Sequence, residues 1–311
     1  MALNARNAIL LAKTEVTYGV DPVPTGAANA MLAANLKVSP MEGQEASRDF
    51  DRGYFSAPQK IPTGLYGVAT FDIEMIGHAV KGTAPAWSAI AKACGLAEVI
   101  TAGTSVVYNP VSSGHSSVTL YYHLDGVKQA LTGCRGTGEI KVNAHGIPVL
   151  AVRLTGIYSD PADAANPGGV SFAGFQDPQV ANYANTPSLT LNGVATVARS
   201  YTLNLGNQVV YRELINSRAV LITDAQPTIA AQVEATAMAT LNPFVLAKNQ
   251  TAFSTVLVHG TGAGKITTIT APNCRMSRPG SPSEQDNIVE WPLNMAAMPT
   301  AGNDAFTISL T

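Results

Sequence analysis

The stretch Gly64–Gly95, GLYGVATFDIEMIGHAVKGTAPAWSAIAKACG, leaves this chain few ways to fold, because it joins a strand pattern to a helix pattern whose apolar faces other elements must cover. From Val68 to Met75 apolar and polar residues alternate. Phe71, Ile73 and Met75 fall on one side and Asp72 and Glu74 on the other, the pattern of a strand with one buried face. A helix is expected next, with Thr83 as its cap, Pro85 in its first turn and Gly95 as its left-handed stop. Trp87, Ile90, Ala91 and Cys94 keep helical spacing, so one stripe of this short helix faces the sheet and plugs the open end of a barrel or sandwich.

Most of the remaining chain reads as sheet. Gly (27) and Pro (19) punctuate it often and only 13% of residues are charged, a composition that suits many short strands and turns. With 311 residues, two domains are expected. The formal net charge of −2 gives no basic surface for gripping nucleic acid and no acidic tail. So little surface charge also suggests that copies of the chain cover one another. Cys94, Cys134 and Cys274 form no Cys-x-x-Cys pair, so free, partly buried thiols are expected rather than disulfides or zinc. The apolar run Ala8–Ala12 is too short for a signal-peptide core or a membrane span, which points to synthesis in a cytoplasm without secretion by that route.

Residues 1–30 read as an arm ending in the turn-rich VDPVPTG. The first domain is expected over 31–160. Its long segment after Pro40 carries Arg48, Asp49, Asp51 and Arg52 beside Tyr54 and Phe55, and reads as a protruding hairpin or contact loop. Strands follow at Ser117–Leu124 and Val127–Gly133 around an Asp125-Gly126 turn, then at Glu139–Ala144 and Pro148–Tyr158 around His145-Gly146. Residues 161–187 read as a linker. The second domain, 188–311, repeats the first in outline: strands at Ala198–Leu205, Val209–Ile215 and Gln226–Ala235, a helix capped by Asn242 with Pro243 at its first position, and further strands to the end. The fold class is therefore mainly β: tandem sandwich or barrel domains, each with a flanking short helix, plus the arm and the long loop.

No catalytic constellation is found. Gly260–Lys265 is one residue short of a phosphate loop, lacks Ser/Thr after Lys265 and precedes a strand pattern, so it reads as a hairpin tip. Gly133–Gly138 misses the dinucleotide spacing and marks a bend or bulge. The five histidines are scattered singly, and no metal or cofactor site is expected. Asp72 and Glu74 share a strand face, where two carboxylates are ordinarily just solvated unless that face lines a channel.

The run KTEVTYGVDPVPTG, the loop ending in KIPTG, and Gly82, Ala84 and Pro85 before the short helix resemble the major tail tube proteins of long-tailed, siphovirus-like bacteriophages. That resemblance covers about the first third of the chain. It implies a fold similar to the type VI secretion tube protein, stacked rings around a DNA-conducting lumen, and no enzymatic activity. Partners would be other copies, tape measure and tail terminator or tip proteins, and DNA passing without specific binding. The location would be the virion tail, assembled in the bacterial host cytoplasm. Two duplicated halves favour a ring of three chains with pseudo-sixfold symmetry; an added C-terminal domain instead favours six chains. Arm and loop residues Lys13, Glu15, Tyr18, Arg48, Asp49, Asp51, Arg52, Tyr54 and Phe55 then become expected contacts between copies. Asp72, Glu74 and Glu139 become candidates to face a negative lumen, and Trp87, Ile90 and Cys94 pack the helix. The other reading kept open is a virion decoration or adhesion module with two β-sandwich domains.

Overall fold

Strands dominate, as the alternating apolar pattern and the frequent turn residues predict. The computed structural model describes residues 2–311. The first half carries β1 (Ala8–Thr14), α1 (Gly26–Asn29), β2 (Ala30–Met31), β3 (Ala33–Arg48), β4 (Gln59–Glu74), α2 (Ser88–Ala93), β5 (Leu96–Thr101), β6 (Ser105–Pro110), β7 (Val118–Leu124), β8 (Val127–Asn143), β9 (Val149–Tyr158) and β10 (Ala162–Asp163). In the second half come β11 (Ser188–Leu191), β12 (Val194–Ala195), β13 (Ala198–Asn204), β14 (Asn207–Leu214), β15 (Ser217–Ala225) and β16 (Thr228–Glu234). They are followed by α3 (Pro243–Asn249), β17 (Phe253–His259), β18 (Thr267–Met276), β19 (Ser283–Gln285), β20 (Ile288–Ala297) and β21 (Thr307–Leu310).

Local chemistry explains many boundaries. Asp125 (φ 47°) and Gly126 (φ 96°) both take positive φ, the geometry a two-residue hairpin turn between β7 and β8 requires. Asn242 Oδ1 accepts from the Val245 amide at 3.0 Å and Pro243 opens α3, as the sequence predicts. Three expectations need correction. The helix α2 begins at Ser88, with Trp87 rather than Thr83 at its cap position and no side-chain cap. Proline at 85 steers Ala84 away from helical backbone, and the Ser88 amide closes a turn onto the Pro85 carbonyl at 3.0 Å. The two strands expected around Gly133–Gly138 are one continuous 17-residue strand, β8, carrying a bulge between Thr132 and Arg135. β15 had no counterpart in the sequence reading. It returns from β14 through Asn216 (φ 64°), so β14 and β15 form a hairpin of their own.

β8 is the seam of the molecule. One of its edges is followed by β9; the other pairs first with β7 and then, from Glu139 to Asn143, with β13 of the second half. A row of directly opposed residues therefore crosses seven strands: Ile73, Leu150, Ile140, Leu203, Ile229, Met295 and Met276. All seven are buried and belong to a single core cluster, which also holds Trp87, Tyr108, Phe253 and Phe306. The chain end joins the same core, since β21 pairs with both β18 and β6.

The pairings recur in order along the chain. β1–β2, β1–β7, β3–β4, β4–β9, β7–β8 and β8–β9 in the first half have counterparts in β11–β12, β11–β17, β13–β16, β16–β20, β17–β18 and β18–β20. Helix α2 follows β4 as α3 follows β16. The β5–β6 hairpin is extra to the first half.

Two histidines are held inside this fold, and they contribute to its pH dependence just below neutrality. Burial lowers the affinity of His123 and His259 for a proton, and the Lys128 charge adds to the effect at His123. Below the ordinary histidine pKa of about 6.5 the unfolded chain takes up protons that the native chain refuses, so stability falls with pH there and levels off below the native values. Melting temperatures should therefore decline between about pH 7.5 and 5, with a shallower slope in His259→Asn. A flat profile for the parent chain would refute this account.

Candidate assembly surfaces

The opposite face of the same sheet is polar. Asp72, Ala151, Glu139, Asn204 and Thr228 stand directly across from one another, and Glu74, Val149, Lys141, Thr202 and Ala230 form the next row. Alternation along each strand puts these rows opposite the core rows, because successive side chains leave a strand on opposite sides. Asp72, Glu74 and Glu139, from two different strands separated by β9, thus share one partly open face. Asn35 donates to Asp72 at 2.7 Å and Asn204 to Glu139 at 2.8 Å, while Lys141 lies 3.1 Å from Glu139. Partial burial, with the Asp177 charge second, holds the Glu74 carboxyl above the usual carboxylate range. Lys37 and Arg153 lie on the same face, flanking Thr70, so its charge is mixed rather than uniformly negative. Sequence reasoning passed over Lys141 and Arg153, although each alternates with buried neighbours as clearly as Glu139 does.

Beyond the paired region of this face, β3 and β4 continue as a hairpin. Residues 39–63 are exposed throughout, including Phe50, Tyr54 and Phe55. Arg48 donates to Gln59 at 3.0 Å and lies over the Phe50 ring, while Asp49, Asp51 and Arg52 point into solvent at the tip. The β14–β15 hairpin behaves differently. It lies against β8 and β9, with Tyr211 stacked 5.2 Å from Tyr66 and Asn207 donating to the Gly136 and Cys94 carbonyls.

The arm residues are engaged within their own chain. The Glu15 carboxylate accepts from Gly19 N, Ser117 Oγ, Thr119 Oγ1 and Gly133 N at 2.6–2.7 Å. Tyr18 accepts from the Val220 amide at 2.6 Å beneath the Arg135 guanidinium, and Lys13 donates to the Pro22 carbonyl at 2.8 Å. Val16, in contrast, is fully exposed. Trp87, Ile90 and Cys94 are all buried against the sheet, and burial raises the Cys94 thiol to about 12.

Several strands of the large sheet pair on one side only among the described residues, β2, β5, β10 and β12 among them, and two of these one-sided strands stand at the ends of the course that carries the polar face. β3 pairs only with β4, and β19 only with β20. An unpaired edge is a row of amides and carbonyls ready to accept another strand. Among the described residues no three His, Cys, Asp or Glu side chains gather as a metal set, and no helix is long and apolar enough to cross a membrane. The model of a family described as phage tail tube protein matches residues 5–297. No curated protein sequence matches the chain.

Proposed function

Because the chain belongs to the phage tail tube protein family, we propose that it is the subunit that rings of a siphovirus-like tail repeat, stacked around a lumen through which DNA passes into the host. Membership makes it a structural component of the virion tail that assembles with copies of itself. The observation carrying the finer reading is the polar face of an eight-strand course, β3-β4-β9-β8-β13-β16-β20-β19, which ends in one free edge at β3 and another at β19. Joined edge to edge, such sheets close into a cylinder with polar rows inside and the core rows behind them. Asp72, Glu74 and Glu139 then face the lumen, balanced by Lys37, Lys141 and Arg153. A surface without excess positive charge releases no counterions to DNA and lets it slide.

The recurring pairings support two duplicated units per chain, hence three chains in a ring of pseudo-sixfold symmetry; six chains would serve if the second half were an added domain. The exposed β3–β4 hairpin and the Val16 region of the arm bridge neighbours, within a ring or between rings. Kinship in fold with type VI secretion tubes, binding to tape measure and to terminator or tip proteins, and assembly in the host cytoplasm belong to the same reading. Negative-stain microscopy of the purified protein tests it. Open-ended tubes or stacked rings are expected; dispersed globules at every concentration and salt condition would favour a decoration or adhesion module instead.

A further inference from the structure

The seam between the halves has an unfilled counterpart at the outer ends of the sheet. Inside one chain, the first half's last sheet strand, β8, accepts β13 along Glu139–Asn143. By the recurrence of pairings, β13 corresponds to β3, and the β18–β19 course along β20 corresponds to β8 along β9. Matching the strand ends fixes the register. Glu74 and Glu234 close β4 and β16, and Ala33 and Ala198 stand opposite the residues just before them, Ile73 and Val233. Lys37, opposite Thr70, then corresponds to Thr202, opposite Ala230. Val149 and Glu290, opposite Glu74 and Glu234, correspond in turn, so Ser283, opposite Glu290, takes the place of Lys141, opposite Val149.

We propose that the free edge of β3 pairs with the β19 edge of a second copy in the register that β13 and β8 use within one chain, with Lys37 opposite Ser283. This rests on the self-assembling tube reading and specifies its joint. Both residues are exposed, and the diagonal neighbours of Lys37 in this register are Ser281 and Gln285, so no like charge opposes it. The same correspondence gives the β3–β4 hairpin a seat. Its counterpart β14–β15 rests on β8 and β9 of the preceding unit, so the hairpin carrying Phe50, Tyr54 and Phe55 rests on β18 and β20 of the next copy. Exposed aromatics on an otherwise polar ribbon then have a surface to cover.

The test is a double variant, Lys37→Cys with Ser283→Cys, in the full chain. The native thiols at 94, 134 and 274 are buried and do not compete. Within one chain the two new thiols lie at opposite borders of an eight-strand course, about 30 Å apart at roughly 4.8 Å per strand, far beyond disulfide reach. Mild oxidation is expected to give a reducible ladder on non-reducing gels whose last rung counts the copies in a ring. Each single variant should stay monomeric, and a mixture of the two should stop at dimer. Rings or tubes that form in the same sample without the ladder would overturn this joint and leave the tube reading standing. A chain that stays monomeric by light scattering and microscopy would overturn both.

Discussion

Trp87→Ala is expected to lower the unfolding free energy by about 3–5 kcal/mol, the range for truncating a fully buried large aromatic side chain. The indole is 1% exposed, its Nε1 donates to the Ile76 carbonyl at 2.8 Å, and its ring lies 5.2 Å from that of Tyr108. The loss therefore combines a cavity at the point where α2 meets the sheet with a buried carbonyl left without its donor. Trp87→Phe keeps most of the ring and removes the donor, so it should cost less than half as much. Denaturant unfolding followed by circular dichroism measures both. A loss below about 1 kcal/mol in the alanine variant would mean that α2 is not anchored through this residue.

Glu15→Ala should destabilise the chain by about 3 kcal/mol or more, since it strands the Ser117 and Thr119 hydroxyls and the Gly133 amide in buried surroundings, each costing about 1–3 kcal/mol when unsatisfied. Glu15→Gln preserves the shape but presents a donor where a hydroxyl now donates, so an intermediate loss is expected. Hydrogen exchange gives the local readout. The Gly19 and Gly133 amides, both bonded to this carboxylate, should lose protection in either variant, while the β16–β20 ladder keeps it. Unchanged protection at both amides would show that this carboxylate does not hold the start of the chain to the bulge in β8.

Both residues illustrate how far local reading reaches. Trp87 was legible as a core residue from its spacing with Ile90, Ala91 and Cys94, yet the helix it caps is shorter than its apolar stripe suggests, because Pro85 commits the preceding residues to a turn. Glu15 reads in the sequence as an arm residue available for contact with another copy, whereas its carboxylate is buried within its own chain. Its partners lie 102, 104 and 118 positions away in sequence, and no window of neighbouring residues contains them.

Sequence alone determined which side of each strand is apolar, where Asp125-Gly126 turns the chain and where Asn242 starts a helix, because these depend on residues within a few positions of one another. It placed Asp72 and Glu74 on one face by their spacing of two, and Glu139 on the polar side of its own strand. That the three meet on a single sheet, and that β8 accepts β13 while β21 reaches back to β6, was decided only by the tertiary structure. An alternating pattern specifies a face but not a partner, since every strand edge offers the same amides and carbonyls; the choice among edges is made by the whole core closing at once.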